Sequence, residues 1–181
     1  PGSAFKPLVY AAALDHGYTP ASVVLDAPIQ WVDHDSVWRP QNYSRRYYGP
    51  TTLRRALEKS RNVVTVRVVQ DLGTSAVVDY VSRFGFQRPI GRNLSVGLGT
   101  SETSLLELTS AYAVFADAGE RVQPLLISRI EDASGRLVAK IEPTRERVMS
   151  EQTAYLITSM LEGVVQSGTG RVVRGLGRPV A

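Results

Sequence analysis

Four residues in two short clusters could do chemistry together. Ser3 and Lys6 stand three positions apart at the start of an apolar run over residues 5–14, and they form the chain's single Ser-x-x-Lys. Ser60 and Asn62 form its single Ser-x-Asn. A serine hydroxyl is a weak nucleophile until a base takes its proton. A lysine becomes that base when desolvation lowers its pKa. If the apolar run is a helix, residues three apart share a face, and the Lys6 amine comes beside the Ser3 hydroxyl. The helix start also offers backbone N–H groups, which favour negative charge on an attacked carbonyl. A second hydroxyl, Ser60, can relay a proton to a leaving group. An amide, Asn62, can fix the lysine and grip a substrate carbonyl. The same residues have plainer readings: Ser3 as an N-cap with Lys6 solvated in the first turn, and Ser60 and Asn62 as turn formers. Lysine is scarce, limited to Lys6, Lys59 and Lys140. That scarcity gives the Ser-x-x-Lys match more weight than usual.

The elements that must position these groups follow from periodicity and punctuation. The first helix is expected over 4–16, with Pro7 tolerated in its first turn and Gly17 as its stop. Residues 18–50 read as irregular or extended. They carry Pro20, Pro28, Pro40 and Pro50 among Trp31, Trp38, Tyr43, Tyr47 and Tyr48, and a long aromatic segment inside a domain usually has a function. A helical core is expected over 51–118. Thr51 or Thr52 caps a short helix over 53–59. The valine-rich stretch 62–72 has strand propensity, but the spacing of Val64, Val68 and Leu72 and the following Gly73 favour a helix. Thr74 or Ser75 caps the next helix, which runs to 84. Ser104 and Glu107 have capping-box spacing before a helix ending near 118. A hairpin over 125–141 turns at Ser134-Gly135. Ser150 caps a last long helix over 151–166, and a glycine-rich loop follows.

Composition narrows the classes. A chain of 181 residues, 43% hydrophobic, fits one domain with a real core. The absence of cysteine excludes disulfides and thiolate metal sites. No apolar run is long enough to cross a bilayer, and no signal peptide is visible. The chain starts Pro-Gly-Ser without Met, so it reads as a piece of something longer, with any membrane anchor outside it. A net charge of +4 and a pI near 9.6 suggest an anionic partner, yet the arginines are scattered. Arg45-Arg46 beside Tyr43, Tyr47 and Tyr48 is the nearest approach to a basic cluster, and no nucleic-acid partner is expected. Asp33-His34-Asp35 is discounted as a metal site, since adjacent residues converge poorly on one ion. Gly97-Leu98-Gly99 lacks the third glycine and the preceding strand of a phosphate loop. Glu102, beside a helix start, reads as a dipole partner rather than a general base.

Longer blocks carry a resemblance. Ser-x-x-Lys and Ser-x-Asn belong to the motif set of serine β-lactamases and penicillin-binding proteins. Pro1-Gly2-Ser3-Ala4-Phe5-Lys6-Pro7, Trp38-Arg39-Pro40-Gln41-Asn42-Tyr43, Tyr48-Gly49-Pro50 and Ala56-Leu57-Glu58-Lys59-Ser60-Arg61-Asn62 resemble class A, bifunctional penicillin-binding proteins. So do Leu105-Leu106-Glu107-Leu108, Ala111-Tyr112-Ala113-Val114-Phe115-Ala116, Gln152-Thr153-Ala154-Tyr155-Leu156 and Gly168-Thr169-Gly170.

The resemblance implies an α/β domain of the β-lactamase/transpeptidase-like (penicilloyl-serine transferase) fold. This chain would be mainly the helical part of that domain plus the hairpin, with the central sheet largely missing. It implies a D,D-transpeptidase that cross-links peptidoglycan stem peptides and is acylated by β-lactams. By the resemblance Ser3 is the acylated nucleophile, Lys6 its base and Ser60 a proton relay. Asn62 would bind the donor peptide's amide or the antibiotic side chain. No metal or cofactor is implied. The family's third motif, Lys-Thr-Gly, is expected just after Val180-Ala181. The whole protein is expected to carry a membrane anchor and a glycosyltransferase domain, and to work at the outer face of the cytoplasmic membrane. A serine β-lactamase or β-lactam sensor is the rival enzyme class, and a non-catalytic scaffold is the rival of another class.

Overall fold

A computed structural model describes residues 1–33 and 36–181. Its organising element is the helix α1, Lys6–Asp15. Side chains from Leu8 to Ala13 are fully buried. A helix that is apolar on every side must be wrapped by others, and α1 packs against four of them. These are α2 (Leu53–Glu58), α3 (Asn62–Leu72), α4 (Thr74–Ser82) and α6 (Glu151–Ser167). A further helix, α5 (Leu105–Ala116), packs on α6. Polar ties run through the core. The Tyr80 hydroxyl donates to Asp15 Oδ2 at 2.7 Å, and the Thr153 hydroxyl donates to Asp15 Oδ1.

The strands among the described residues are short, and each pairs antiparallel with one partner. They are β1 (Val23–Asp26) with β4 (Gly49–Thr52), β2 (Trp31–Asp33) with β3 (Ser36–Trp38), β5 (Glu120–Val122) with β8 (Arg145–Arg147), and β6 (Arg129–Glu131) with β7 (Leu137–Lys140). Among the described residues no sheet exceeds two strands. The described residues are therefore mainly helical, with four separate two-stranded pairs.

Residues 18–50, expected as irregular or extended, hold the pairing of β1 with β4, with Asp26 opposite Gly49. Several other local expectations need correction. No side chain caps α4; Gly73, at φ +84°, is its N-cap and Thr74 already lies inside the helix. The hairpin is shorter than its apolar pattern suggested, and a second pair, β5 with β8, brackets it. The strands of that outer pair are three residues each, too brief for alternation to reveal. The first turn, Gly2–Phe5, is a 3-10 turn, so α1 proper begins at Lys6. The Asp33-His34-Asp35 run centres on residues outside those described. Helix α3 resolves the competition between strand and helix. Its buried Val63, Val64, Val66, Val68 and Val69 gain more from packing than valine loses in helix propensity.

Candidate active site

Lys6 is the first residue of α1 and is fully buried. Its amine has three partners. It donates to the Ser60 carbonyl at 2.8 Å, to Ser60 Oγ at 2.9 Å and to Asn62 Oδ1 at 2.6 Å. Burial lowers its pKa from 10.5 to about 8, because the charged form is the one that loses hydration. The arrangement suits both protonation states. The ammonium uses all three N–H groups. In the neutral amine two N–H groups can keep the Ser60 carbonyl and Asn62, while the Ser60 hydroxyl turns to donate to the lone pair.

Ser60 is held by the end of α2. Its N–H donates to Leu57 O at 3.0 Å, and the next N–H, of Arg61, donates to Ala56 O at 2.8 Å. This is the Schellman pattern of a helix C-terminus, and Ser60 occupies the left-handed position at φ +52°. The end of α2 is tied to α6 and the loop after it. Thr169 N–H donates to Glu58 O at 3.1 Å, Ser167 Oγ donates to Glu58 Oε2 at 3.2 Å, and Lys59 donates to the Ser167 carbonyl. The Arg61 guanidinium lies 3.2 Å above the centre of the Tyr48 ring, a cation–π contact to the aromatic segment. Asn62 opens α3. Its Oδ1 faces Lys6 and its Nδ2 donates to Gln41 O at 2.9 Å.

Ser3 is exposed in the 3-10 turn ahead of α1. Among the described residues it makes no side-chain hydrogen bond to Lys6, whose amine is turned to Ser60 and Asn62. Ser3, Lys6, Ser60 and Thr169 nevertheless line one cavity of about 210 Å³, with Ala4, Leu57, Tyr112 and Val164 among its other walls. The turn that carries Ser3 is anchored from two sides. Tyr112 OH donates to Ala4 O at 2.8 Å, and Gly2 N–H donates to Gly99 O at 3.1 Å. Gly97 and Gly99, weighed above only as a phosphate loop, are close-packing residues. A Cβ on Gly97 would meet Val69 at 2.7 Å, and one on Gly99 would meet Gly2 O at 2.1 Å. Tyr112, Gly99 and Thr169 carry no chemical signal in the sequence, because their contribution depends on long-range placement. Asn62 and the Ser60 hydroxyl did carry one. The structure brings both to Lys6 and leaves Ser3 across the same cavity.

The sequence and the helical arrangement are similar to those of known proteins. A model of the penicillin binding protein transpeptidase domain matches residues 1–181. The chain belongs to that family. It is 38% identical over 231 residues to penicillin-binding protein 1A of Pseudomonas aeruginosa, covering 98% of this chain and 28% of that protein. It is 42% identical over 188 residues to penicillin-binding protein 1A of Neisseria gonorrhoeae, covering 98% of this chain and 23% of that protein. The crystal structure of penicillin-binding protein 1A from Haemophilus influenzae superposes with a TM-score of 0.88 at 30% identity, over 93% of this chain and 30% of that one. The penicillin G acyl-enzyme complex of penicillin-binding protein A from M. tuberculosis gives 0.82 at 24% identity, over 93% and 45%, a likeness of fold. The chain thus spans about a quarter of the length of the curated relatives it matches.

Proposed function

We propose that the protein carrying this chain is a D,D-transpeptidase. It cross-links peptidoglycan stem peptides through an acyl-serine at Ser3 and is inactivated by β-lactams at the same residue. It works at the outer face of the cytoplasmic membrane, anchored by a segment outside residues 1–181. The observation that carries the reading is the buried Lys6 amine, held by Ser60 and Asn62 in the cavity that Ser3 lines. In the acylation step neutral Lys6 takes the Ser3 proton as Oγ bonds to the substrate carbonyl carbon. The tetrahedral intermediate collapses when its C–N bond breaks, and a proton reaches the leaving nitrogen through the Ser60 hydroxyl, which Lys6 recharges. The backbone N–H of Ser3 is one donor for the oxyanion. Deacylation transfers the acyl group to the amine of an acceptor stem peptide.

Two observations refine this reading. The family to which the chain belongs, that of penicillin binding protein transpeptidase domains, favours a long-lived acyl-enzyme over a β-lactamase. Among the described residues Lys6 is the one cation in the lining of the cavity, and its amine is committed to Ser60 and Asn62. A second cation is needed to hold the carboxylate of a stem peptide or a penicillin. The Lys-Thr-Gly motif that the resemblance implies would supply it. Residues 1–181 alone should therefore acylate slowly. The experiment compares fluorescent-penicillin labelling of this chain, of the full-length protein and of its Ser3→Ala variant. Fast, Ser3-dependent labelling of the full-length protein and weak labelling of the short chain are expected. Label that survives Ser3→Ala in the full-length protein, or that is released within seconds, would overturn the assignment.

A further inference from the structure

Asn42 comes from the aromatic segment, 20 residues before Asn62 in sequence, and is 3% exposed. Every polar group of its side chain is used. Nδ2 lies 2.9 Å from both carboxylate oxygens of Asp26 and donates to Arg46 O at 2.9 Å. Oδ1 accepts from the N–H groups of Asn62 at 2.9 Å and Val63 at 3.3 Å. Asn42 thus caps α3 from outside, in a helix whose own N-cap, Arg61, makes no side-chain cap hydrogen bond. Asp26, the last residue of β1, is fully buried. A buried carboxylate is costly unless hydrogen-bonded. Here it settles which way the neighbouring amide faces. Nδ2 must point to Asp26, so Oδ1 must point to the start of α3. Asn62, clamped through its backbone, turns its own Oδ1 to the Lys6 amine and its Nδ2 to Gln41 O, the residue before Asn42.

We infer that Asp26 and Asn42 are positioning residues for serine acylation. Asp26 locks the Asn42 amide, Asn42 locks the first turn of α3, and that turn holds Asn62 on the Lys6 amine. Neither residue lines the cavity with Ser3, Lys6 and Ser60. The inference rests on the reading of Ser3 and Lys6 given above. Among the described residues the hydrogen-bond partners of the Lys6 amine are all neutral. Its acid–base behaviour therefore follows how tightly this cage excludes water, and loosening the cage moves it toward that of a solvated lysine.

The test uses the full-length protein and measures the rate of Ser3 acylation by a fluorescent penicillin from pH 6 to pH 10. Asn42→Ala removes the clamp and leaves Asp26 unpaired. The exchanged pair Asp26→Asn with Asn42→Asp restores the bonds between residues 26 and 42 and to α3 in reverse, and gives up only the one to Arg46 O, which lies in an exposed loop. The residue 26 amide then donates to the residue 42 carboxylate, which still accepts from the two N–H groups of α3 and also suits the helix dipole. Asn42→Ala should slow acylation about ten- to a hundredfold, the usual cost of a small misplacement of reacting groups. It should also raise the pH inflection by about half a unit or more. The exchanged pair, short only of the bond to Arg46 O, should acylate at least about threefold faster than Asn42→Ala, with the inflection moved back toward wild type. That variant decides the matter by itself if Asn42→Ala yields no folded protein. A wild-type rate in Asn42→Ala overturns the inference, as does a slower rate with an unmoved inflection, which loss of folded protein alone would give. An exchanged pair as slow as Asn42→Ala also overturns it. Labelling that survives Ser3→Ala would instead defeat the reading of the site, so the two failures are separable.

Discussion

Ser60 stands where a helix end usually has glycine. Its φ of +52° lies in the left-handed region, which costs a residue with a Cβ about 1 kcal/mol. The hydroxyl beside Lys6 is thus kept at the expense of stability, as strained backbone at functional sites often is. Ser60→Gly should raise the melting temperature of this domain by about 2–4 °C and, on the proposed relay role, slow acylation at least about tenfold. Ser60→Ala should lose the same activity without the gain in stability. Calorimetry and penicillin labelling on the three proteins check this. As the proposed base, Lys6 would set the pH response. With its pKa at about 8, the neutral base is scarce at pH 7. Acylation should rise about tenfold between pH 7 and pH 9 and then level off. Stability moves in the same direction. The unfolded lysine keeps its proton until about 10.5, while the folded one releases it near 8. The burial penalty is therefore fully present below pH 8 and fades as pH climbs toward 10.5. Unfolding measured against Lys6→Met across that window should show the wild type gaining, and a flat difference would contradict the assigned burial.

Two elements divide sharply in what they do for the site. The 3-10 turn at Leu94–Leu98 and the following Gly99 form the seat for the turn that carries Ser3. At Gly99 the φ is +71° and a Cβ would lie 2.1 Å from Gly2 O, so a side chain there must displace backbone. Gly99→Ala should push the Ser3 turn off its seat and slow acylation about a hundredfold, with a lower melting temperature. An unchanged acylation rate would show that this seat does not set Ser3. The β6–β7 hairpin is the opposite case. It packs almost entirely on itself, and its Ile130, Leu137 and Val138 are exposed. Replacing residues 129–140 by a short turn should leave Ser3 acylation within about twofold, since nothing in that hairpin reaches the cavity. A large loss would mean that it steadies α5 or β5 from a distance.

At the scale of the molecule, the core is centred on α1 while much apolar surface stays outside. Leu105 is 82% exposed, Leu126 103%, Tyr155 73% and Val172 88%. Monomeric proteins seldom leave so many large apolar side chains in water unless something covers them. Residues 1–181 expressed alone should self-associate and unfold with low cooperativity. Sedimentation and urea titration check this, and a sharp two-state transition of a monomer would show that the helical part is self-sufficient. Among the described residues no helix is long and apolar enough to cross a membrane.

What the sequence determined by itself was motif and local form. Residue types at fixed short spacing carried Ser-x-x-Lys and Ser-x-Asn, and the Ser104–Glu107 capping box was legible because both halves lie within one turn. The helical reading of residues 62–72 was legible because four-residue spacing of apolar side chains survives a valine-rich composition. Outside the sequence's reach were contacts whose partners are far apart along the chain. Asn42 stands there only inside a block that carries the resemblance, Asp26 draws no reading, and Gly97 and Gly99 read as a weak glycine motif. Only the tertiary structure decided that Asn42 caps α3 and that Gly99 seats Gly2. It also decided that the Lys6 amine turns to Ser60 and Asn62, with Ser3 across the cavity. A side chain's direction at a helix start depends on which distant acceptors the packing of α1 against α2 and α3 brings within hydrogen-bond reach, and residue spacing carries no record of that packing.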